Sequence, residues 1–320
     1  MPFHRQKQTR REFLAVSAAG LAAFAASGAA AKTDDTKMFK NLACGHIGVD
    51  ANLHEAIDYA ARLGFGGTSP NVYELEKMSP QQRKETVALL KEKGLRWGAS
   101  GLPVEFRKSE EQYKDNMGQF PDRAKVLNEV GVTRVSTWIL PGSNDLTYLE
   151  HFEQHRRRLK NVAETLNDHG MRLGLEFVGP RTARRRFRFP FISTQAEMLE
   201  LCDAIDTGNV GLLLDAWHWH TSHGTGEEIN QLTNDLVVHV HVNDAPKGVP
   251  IDELQDLKRK LPCTTGVIDL KTFMNTLQRI GYDGPVECEP FDNELRQMEN
   301  EPALRKTIDA LDRLFELIEA

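Results

Sequence analysis

Four side chains able to bind metal each close a short apolar run: Glu176 after "RLGL", Asp215 after "VGLLL", His241 after "VVHV" and Glu289 after "VEC". Three carboxylates and one imidazole make a mostly hard, oxygen-rich donor set for one divalent ion with open positions. Mn2+ suits it best; Mg2+, Co2+ and Zn2+ are also within its chemistry. Glu176 and Glu289 can also take up and return a proton, so the same four residues offer a metal site and an acid–base pair. They stand 39, 26 and 48 residues apart. No single helix or hairpin spans such distances, so a repeating scaffold must bring them together.

That scaffold is legible as alternation. Strand-like runs occur at residues 39–45, 66–69, 95–100, 134–140, 172–177, 210–215, 236–241 and 285–289. Between them lie helix-periodic segments, most of which begin near Asn, Ser, Asp or Pro and end on Gly, the expected start and stop chemistry. One of these is "DRAKVLNEVG", starting at Asp122. Eight strands alternating with eight helices predict an α/β protein, a (β/α)8 TIM barrel over residues 38–320, with units of roughly 31 residues. Glu176, Asp215, His241 and Glu289 then fall at the carboxyl ends of strands five to eight and converge on one mouth. Strand alternation places His239 and Glu287 on the same faces, one layer deeper. His46, after the first strand, is expected on the pocket side as a substrate contact. The long segments 141–149 and 244–262 read as loops forming the substrate pocket.

The stretches "LGLEFVGP", "VGLLLDAWHW", "HVHVNDAP" and "GYDGPVECEPF" resemble the strand-end motifs of the xylose isomerase-like TIM-barrel superfamily of sugar isomerases and epimerases. The resemblance covers most of residues 38–320. It implies that Glu176, Asp215, His241 and Glu289 are metal ligands, that Glu176 and Glu289 are catalytic, and that His218 contacts substrate. The implied reaction on a sugar or keto-polyol is proton abstraction beside a carbonyl through an enediolate. Lys247 lies near where tagatose-type epimerases carry a substrate-binding arginine. The segment containing Asp256, Arg259 and "LPCTTGVIDL" is most similar to keto-inositol isomerases and inosose dehydratases, although Cys263-Thr264-Thr265 replaces the usual glycine-rich form. A lyase or dehydratase acting on keto-inositols or 3-keto-glycosides would share the first proton removal. A non-catalytic periplasmic sugar-binding protein would not need two opposed bases.

The N-terminus has a different character. "TRREFLAVSAAGLAAFAASGAAA" pairs Arg10 and Arg11 with an alanine-rich apolar stretch ending in small residues, which resembles a twin-arginine export signal over residues 1–31, followed by a polar linker, 32–37. The expected partner is the twin-arginine export machinery, and the expected location is periplasmic or otherwise exported. Loss of residues 1–31 removes four basic residues and one acid, taking the formal charge from −6 to −9. That balance disfavours a nucleic-acid partner. The four cysteines are widely spaced and read as isolated buried thiols, although an oxidising exported location would permit a disulfide. The basic run 181–189 is open to three readings: a phosphate or sulfate site, a solvated loop, or a contact in a homo-oligomer.

Overall fold

A computed structural model describes residues 37–319; the paired-arginine segment, residues 32–36 of the linker and Ala320 lie outside the described residues. Nine strands form one parallel sheet: β1 (Phe39–Leu42), β2 (Gly67–Thr68), β3 (Arg96–Trp97), β4 (Ser100–Gly101), β5 (Arg134–Trp138), β6 (Arg172–Glu176), β7 (Val210–Asp215), β8 (Val237–Val242) and β9 (Pro285–Cys288). Their order is β3-β2-β1-β9-β8-β7-β6-β5-β4. The two ends of this order belong to one stretch of chain. β3 pairs with β2 and β4 pairs with β5, with only Gly98 and Ala99 between them. The sheet therefore closes on itself as eight staves, the third of them bent, which leaves no edge to cover.

A close approach between distant parts of the chain accompanies the bend. A Cβ at Gly98 would lie 2.5 Å from the side-chain amide of Asn41, so glycine lets the third stave pass a polar side chain directed into the barrel. Sequence periodicity shows a single strand over 95–100, because this contact is made 57 residues away along the chain.

Helices follow every stave: Leu53–Leu63, Pro80–Glu92, Glu110–Glu129, Tyr148–Asn167, Gln195–Ile205, Gly226–Asn230, Leu270–Arg279 and Asn300–Phe315, with short additional helices at Val72–Leu75, Arg181–Arg184, Ala216–Thr221 and Asn293–Arg296. Capping boxes at Asn52/Glu55, Ser79/Gln82, Thr194/Glu197 and Thr225/Glu228 satisfy free amides at four of the starts. The third helix departs from the expected start at Asp122. It begins after Ser109, whose hydroxyl accepts from the Gln112 amide, and runs through Pro121. Proline normally opens a helix because it has no N–H to donate. Here buried Phe120, Ala124 and Leu127 hold both sides of it on the core.

Two loops shape the mouth. Gly142–Ser143 pairs antiparallel with Phe189–Pro190, tying the loop after β5 to the loop after β6. The loop after β8 is fixed by Asp244, fully buried, whose carboxylate accepts from the backbone amides of Thr265, Gly266, Val267 and Ile268. Cys263 and Gly266 take positive φ there, at 57° and 71°. All four cysteines are free, Cys202 and Cys288 buried and Cys44 and Cys263 half-buried.

Candidate metal centre and active site

Register brings the ligands together. Asn41 pairs with Glu287, Glu287 with His241, and His241 with Asp215, so four neighbouring staves present polar side chains at one level. Glu176 ends β6 opposite Trp138, and Glu289 lies one residue beyond β9, its amide still bonded to Val242 O. His241 Nδ1 lies 3.5 Å from Glu176 Oε1, 3.7 Å from Asp215 Oδ2 and 3.6 Å from Glu289 Oε2. One ligand atom from each of the four residues fits within a 4.8 Å span.

The donor set fits a divalent ion. Glu176 Oε1 and His241 Nδ1 are buried without hydrogen-bond partners, an arrangement that costs stability unless something satisfies them. Ligands each about 2.1 Å from one ion lie roughly 3.0–3.5 Å apart, so small movements would seat one. Asp215, 0 % exposed, is fixed in place from both sides. Its Oδ1 accepts from the Trp217 amide and from Asn243 Nδ2, and its Oδ2 from Arg259.

Electrostatics divide the carboxylates. Burial raises the pKa of Glu176. Burial also opposes charge on Glu289 and Asp215, but His241 and Arg259 hold Glu289 down to about 2, and Arg259 with His241 and His218 holds Asp215 well below the usual range. For His241, burial opposes the proton, and Glu289, Asp215 and Glu176 outweigh it, pulling the pKa well above the ordinary imidazole value. Glu176 and Glu289 therefore differ in proton affinity, Glu176 being the more readily protonated of the two.

Glu287, 2 % exposed, lies beneath the tetrad. Its Oε1 is 2.8 Å from His46 Nδ1 and 3.7 Å from His241 Nε2, while its Oε2 accepts from Asn41 Nδ2 and Ser69 Oγ. His46, His241 and Glu287 also approach closely enough to suggest a cation. A second ion there would compete for His241, which would have to give up its ring proton to ligate through both nitrogens. A carboxylate facing Nε2 instead holds a proton on that nitrogen, so that Nδ1 is the one to ligate when an ion displaces its proton, the usual outer support of a metal-bound histidine. Alternation in the sequence marks Glu287 and His239 as inward-facing; it does not show that they orient other side chains.

Arg259 carries no such signal in the sequence, because a lone arginine in a long loop has no periodicity. It is 2 % exposed, donates from Nη1 to Asp215 at 2.8 Å and Glu289 at 2.7 Å, and lies over the rings of Trp217 and Phe291. Its Nη2 is 3.2 Å from His218 Nε2, and His218 Nδ1 accepts from the Gly179 amide. Lys247 is exposed and lines neither cavity that touches the tetrad; His46 lines one of them, and His218 and Arg259 the other.

Those cavities meet at Trp138, Glu176 and Glu289. An inner one of about 320 Å3 is bounded by polar groups, among them His46, Arg107, Ser136, His239 and Glu287. An outer one of about 340 Å3 runs along Leu140, Pro141, Phe187, Leu257 and Phe291, with Arg186 at its edge. Together they can hold substrate against the carboxylates.

Known proteins resemble this one in both sequence and fold. Inosose isomerase of Bacillus subtilis is 26% identical over 163 residues, 50% of this chain and 55% of that protein; the chain thus aligns with little more than half of this relative. The structure of a xylose isomerase domain protein from Alicyclobacillus acidocaldarius superimposes with a TM-score of 0.77 at 29% identity, covering 88% of this chain and 99% of that one. The structure of the IolI protein with a bound zinc atom superimposes at 0.72 with 20% identity, over 88% and 99%. A family model described as xylose isomerase-like TIM barrel matches residues 57–314, and the chain belongs to that family.

Proposed function

We propose that the protein is a divalent-metal-dependent isomerase or epimerase of keto-sugars or keto-polyols, working by proton abstraction beside a carbonyl. The observation that carries this reading is the approach of Glu176 and Glu289 to one imidazole nitrogen, Nδ1 of His241, at 3.5 and 3.6 Å, inside a mouth large enough for a sugar. An ion held by Glu176, Asp215, His241 and Glu289, Mn2+ by preference, would polarise adjacent carbonyl and hydroxyl oxygens and acidify the C–H between them. One glutamate removes that proton to give an enediolate. The other returns it, at the neighbouring carbon for an isomerase or on the opposite face for an epimerase. His218 and Arg259, fixed by Gly179, Asp215 and Glu289, orient the substrate oxygens. Trp138 and the loops tied by Gly142 and Pro190 limit water at the reacting carbon.

The deciding experiment is solvent deuterium incorporation into a keto-sugar or inosose, followed by NMR on protein loaded with Mn2+. Wild type incorporates label beside the carbonyl, and Glu176→Gln and Glu289→Gln each lose about 100-fold or more of the rate, the scale of a lost general base. Full activity in both variants overturns the acid–base assignment. Metal content adds an independent readout: about one ion per chain in wild type and little in Asp215→Ala. Equal content in the two removes the metal site.

Export by the twin-arginine route is part of the same proposal and rests on Arg10, Arg11 and the apolar stretch that follows them. Replacing both arginines with lysine retains the precursor in the cytoplasm. Unchanged export of that variant excludes the route.

A further inference from the structure

The two cavities differ in chemistry more than one sugar ring can use. The inner one offers hydrogen-bonding groups that suit ring hydroxyls: His46, Arg107, Ser136, Thr137 and His239. The outer one carries His218, Asp256 and Arg259 where it meets Glu176 and Glu289, within reach of the reacting ring, and beyond them is walled by Trp138, Leu140, Pro141, Phe187, Leu257 and Phe291. Trp138 and Leu257 are among the few large apolar side chains left exposed, at 43 % and 65 %, and exposed apolar surface beside a polar site marks a contact surface. Each cavity alone reaches the lower end of the roughly 300–1,000 Å3 range of small-molecule sites. They touch at Glu176, Glu289 and Trp138, where the chemistry is proposed to occur.

The geometry points to a substrate of two parts: a keto-sugar ring in the inner cavity, joined as a glycoside to a second ring with an apolar face that fills the outer cavity and carries an anionic group toward Arg186. The identity of the inner ring rests on the proposed reaction; the outer subsite rests on its own lining. Arg107 lies over the Trp138 ring, 4.6 Å from its centre, and lines only the inner cavity. The outer cavity thus meets a Trp138 ring already held by this cation, ready to stack on a flat partner. In the basic run, Arg181 pairs with Asp252 and Arg184 donates to Gly179 O, whereas Arg186 has no ion pair among the described residues and stands at the cavity edge. A carboxylate or sulfate on the second ring would supply its partner. A third cavity of about 360 Å3 adjoins the inner one at His46, beside Tyr73 and Asn71, but touches none of Glu176, Asp215, His241 and Glu289.

Three glucosides without a carbonyl, which cannot turn over, test the subsite separately from the reaction. Isothermal titration of the Mn2+-loaded full chain compares methyl, phenyl and 4-carboxyphenyl β-D-glucoside. The phenyl glucoside binds about 10-fold or more tighter than the methyl one, through ring stacking and apolar burial. The carboxyphenyl glucoside binds about 3-fold tighter again, through a partly exposed charge pair. The phenyl-to-methyl ratio collapses in Trp138→Ala and in Leu257→Ala, the latter on an exposed loop position where folding is not at stake. The carboxylate increment disappears in Arg186→Gln. Equal affinity for methyl and phenyl glucosides, absence of binding, or a ratio untouched by either apolar variant overturns the proposal. So does a ratio lost in Tyr73→Ala instead, which would place the second ring in the third cavity. Binding as described without deuterium exchange in any keto-sugar leaves the subsite standing and removes the proposed reaction.

Discussion

Two groups of buried histidines in this protein share a geometry and differ in charge. At the barrel mouth, His239 and His241 meet edge to face with ring centres 4.6 Å apart. On the helix Tyr148–Asn167, His151 and His155 meet the same way at 4.3 Å. Around His241 stand Glu176, Asp215, Glu287 and Glu289, and its pKa is pulled well above the ordinary value despite burial. Around His151 and His155 stand Phe191 and Phe106, with Arg158 and, for His155, Arg107 as nearby ions; burial, and then like charge, lowers the pKa values to about 4 and about 3. Burial alone expels the proton; neighbouring carboxylates recover it. Even within the mouth the rule is graded: burial keeps His239 at about 4 although Glu287 faces it. The difference between a structural and a chemical histidine here is how many carboxylates surround it.

If carboxylate charge is what distinguishes the mouth, removing its counter-cation has the largest effect. Arg259→Met leaves Asp215 and Glu289 buried without their common partner, and should destabilise the metal-free protein by about 3–5 kcal/mol, the usual cost of breaking a buried pair from one side. Saturating Mn2+ supplies charge to the same carboxylates, so the loss in urea unfolding should be smaller with metal than without. An equal loss in both conditions means that Arg259 acts through packing on Trp217 and Phe291 instead.

The next effect concerns orientation. Glu287→Gln keeps the shape but removes the charge facing His241 Nε2 and His46 Nδ1. Metal affinity, measured by competition with a chromophoric chelator, should fall about 10- to 100-fold, as for other groups supporting a metal-bound histidine. His151→Leu, in the apolar group, should leave that affinity as it is. Unchanged affinity in Glu287→Gln reduces Glu287 to a buried structural acid.

The smallest effect is read as a slope. His151 and His155 bind protons more weakly in the folded chain than in the unfolded one, where the imidazole value is about 6.5. Below that pH the unfolded chain holds more protons, so their contribution to stability is present above about 6.5 and is lost as pH falls toward the folded values of about 4 and about 3. Each group adds up to about 1.4 kcal/mol per pH unit in that window. His151→Leu should flatten unfolding free energy against pH between about 6.5 and about 4.5 by about that amount. A parallel curve would mean that His151 titrates normally when folded.

Much of the mouth is readable in the amino-acid sequence. An acid or imidazole closing an apolar run is a local pattern, and a parallel barrel converts four such patterns into one site, so Glu176, Asp215, His241 and Glu289 can be named together. Alternation further marks His239 and Glu287 as inward. Arg259 and Lys247 show where this reading stops. Both are cations in the loop after β8, and nothing local says which one turns inward. The choice belongs to Asp244, which gathers the amides of Thr265 to Ile268, and to Trp217 and Phe291, on which the guanidinium rests. His151 and His155 lie beyond it too, because their neutrality depends on Phe191 and Phe106 arriving from other parts of the chain.

Local sequence dictates the period-two strands, the helices between them and the carboxyl-end position of each ligand, because those follow from side-chain alternation and capping within a few residues. Three features wait for the closed barrel: the bend of the third stave at Gly98, the selection of Arg259 over Lys247, and the meeting of a polar and an apolar cavity at Glu176 and Glu289. Each of these depends on a contact between segments far apart in the chain, whose free energy exists only once the staves have joined.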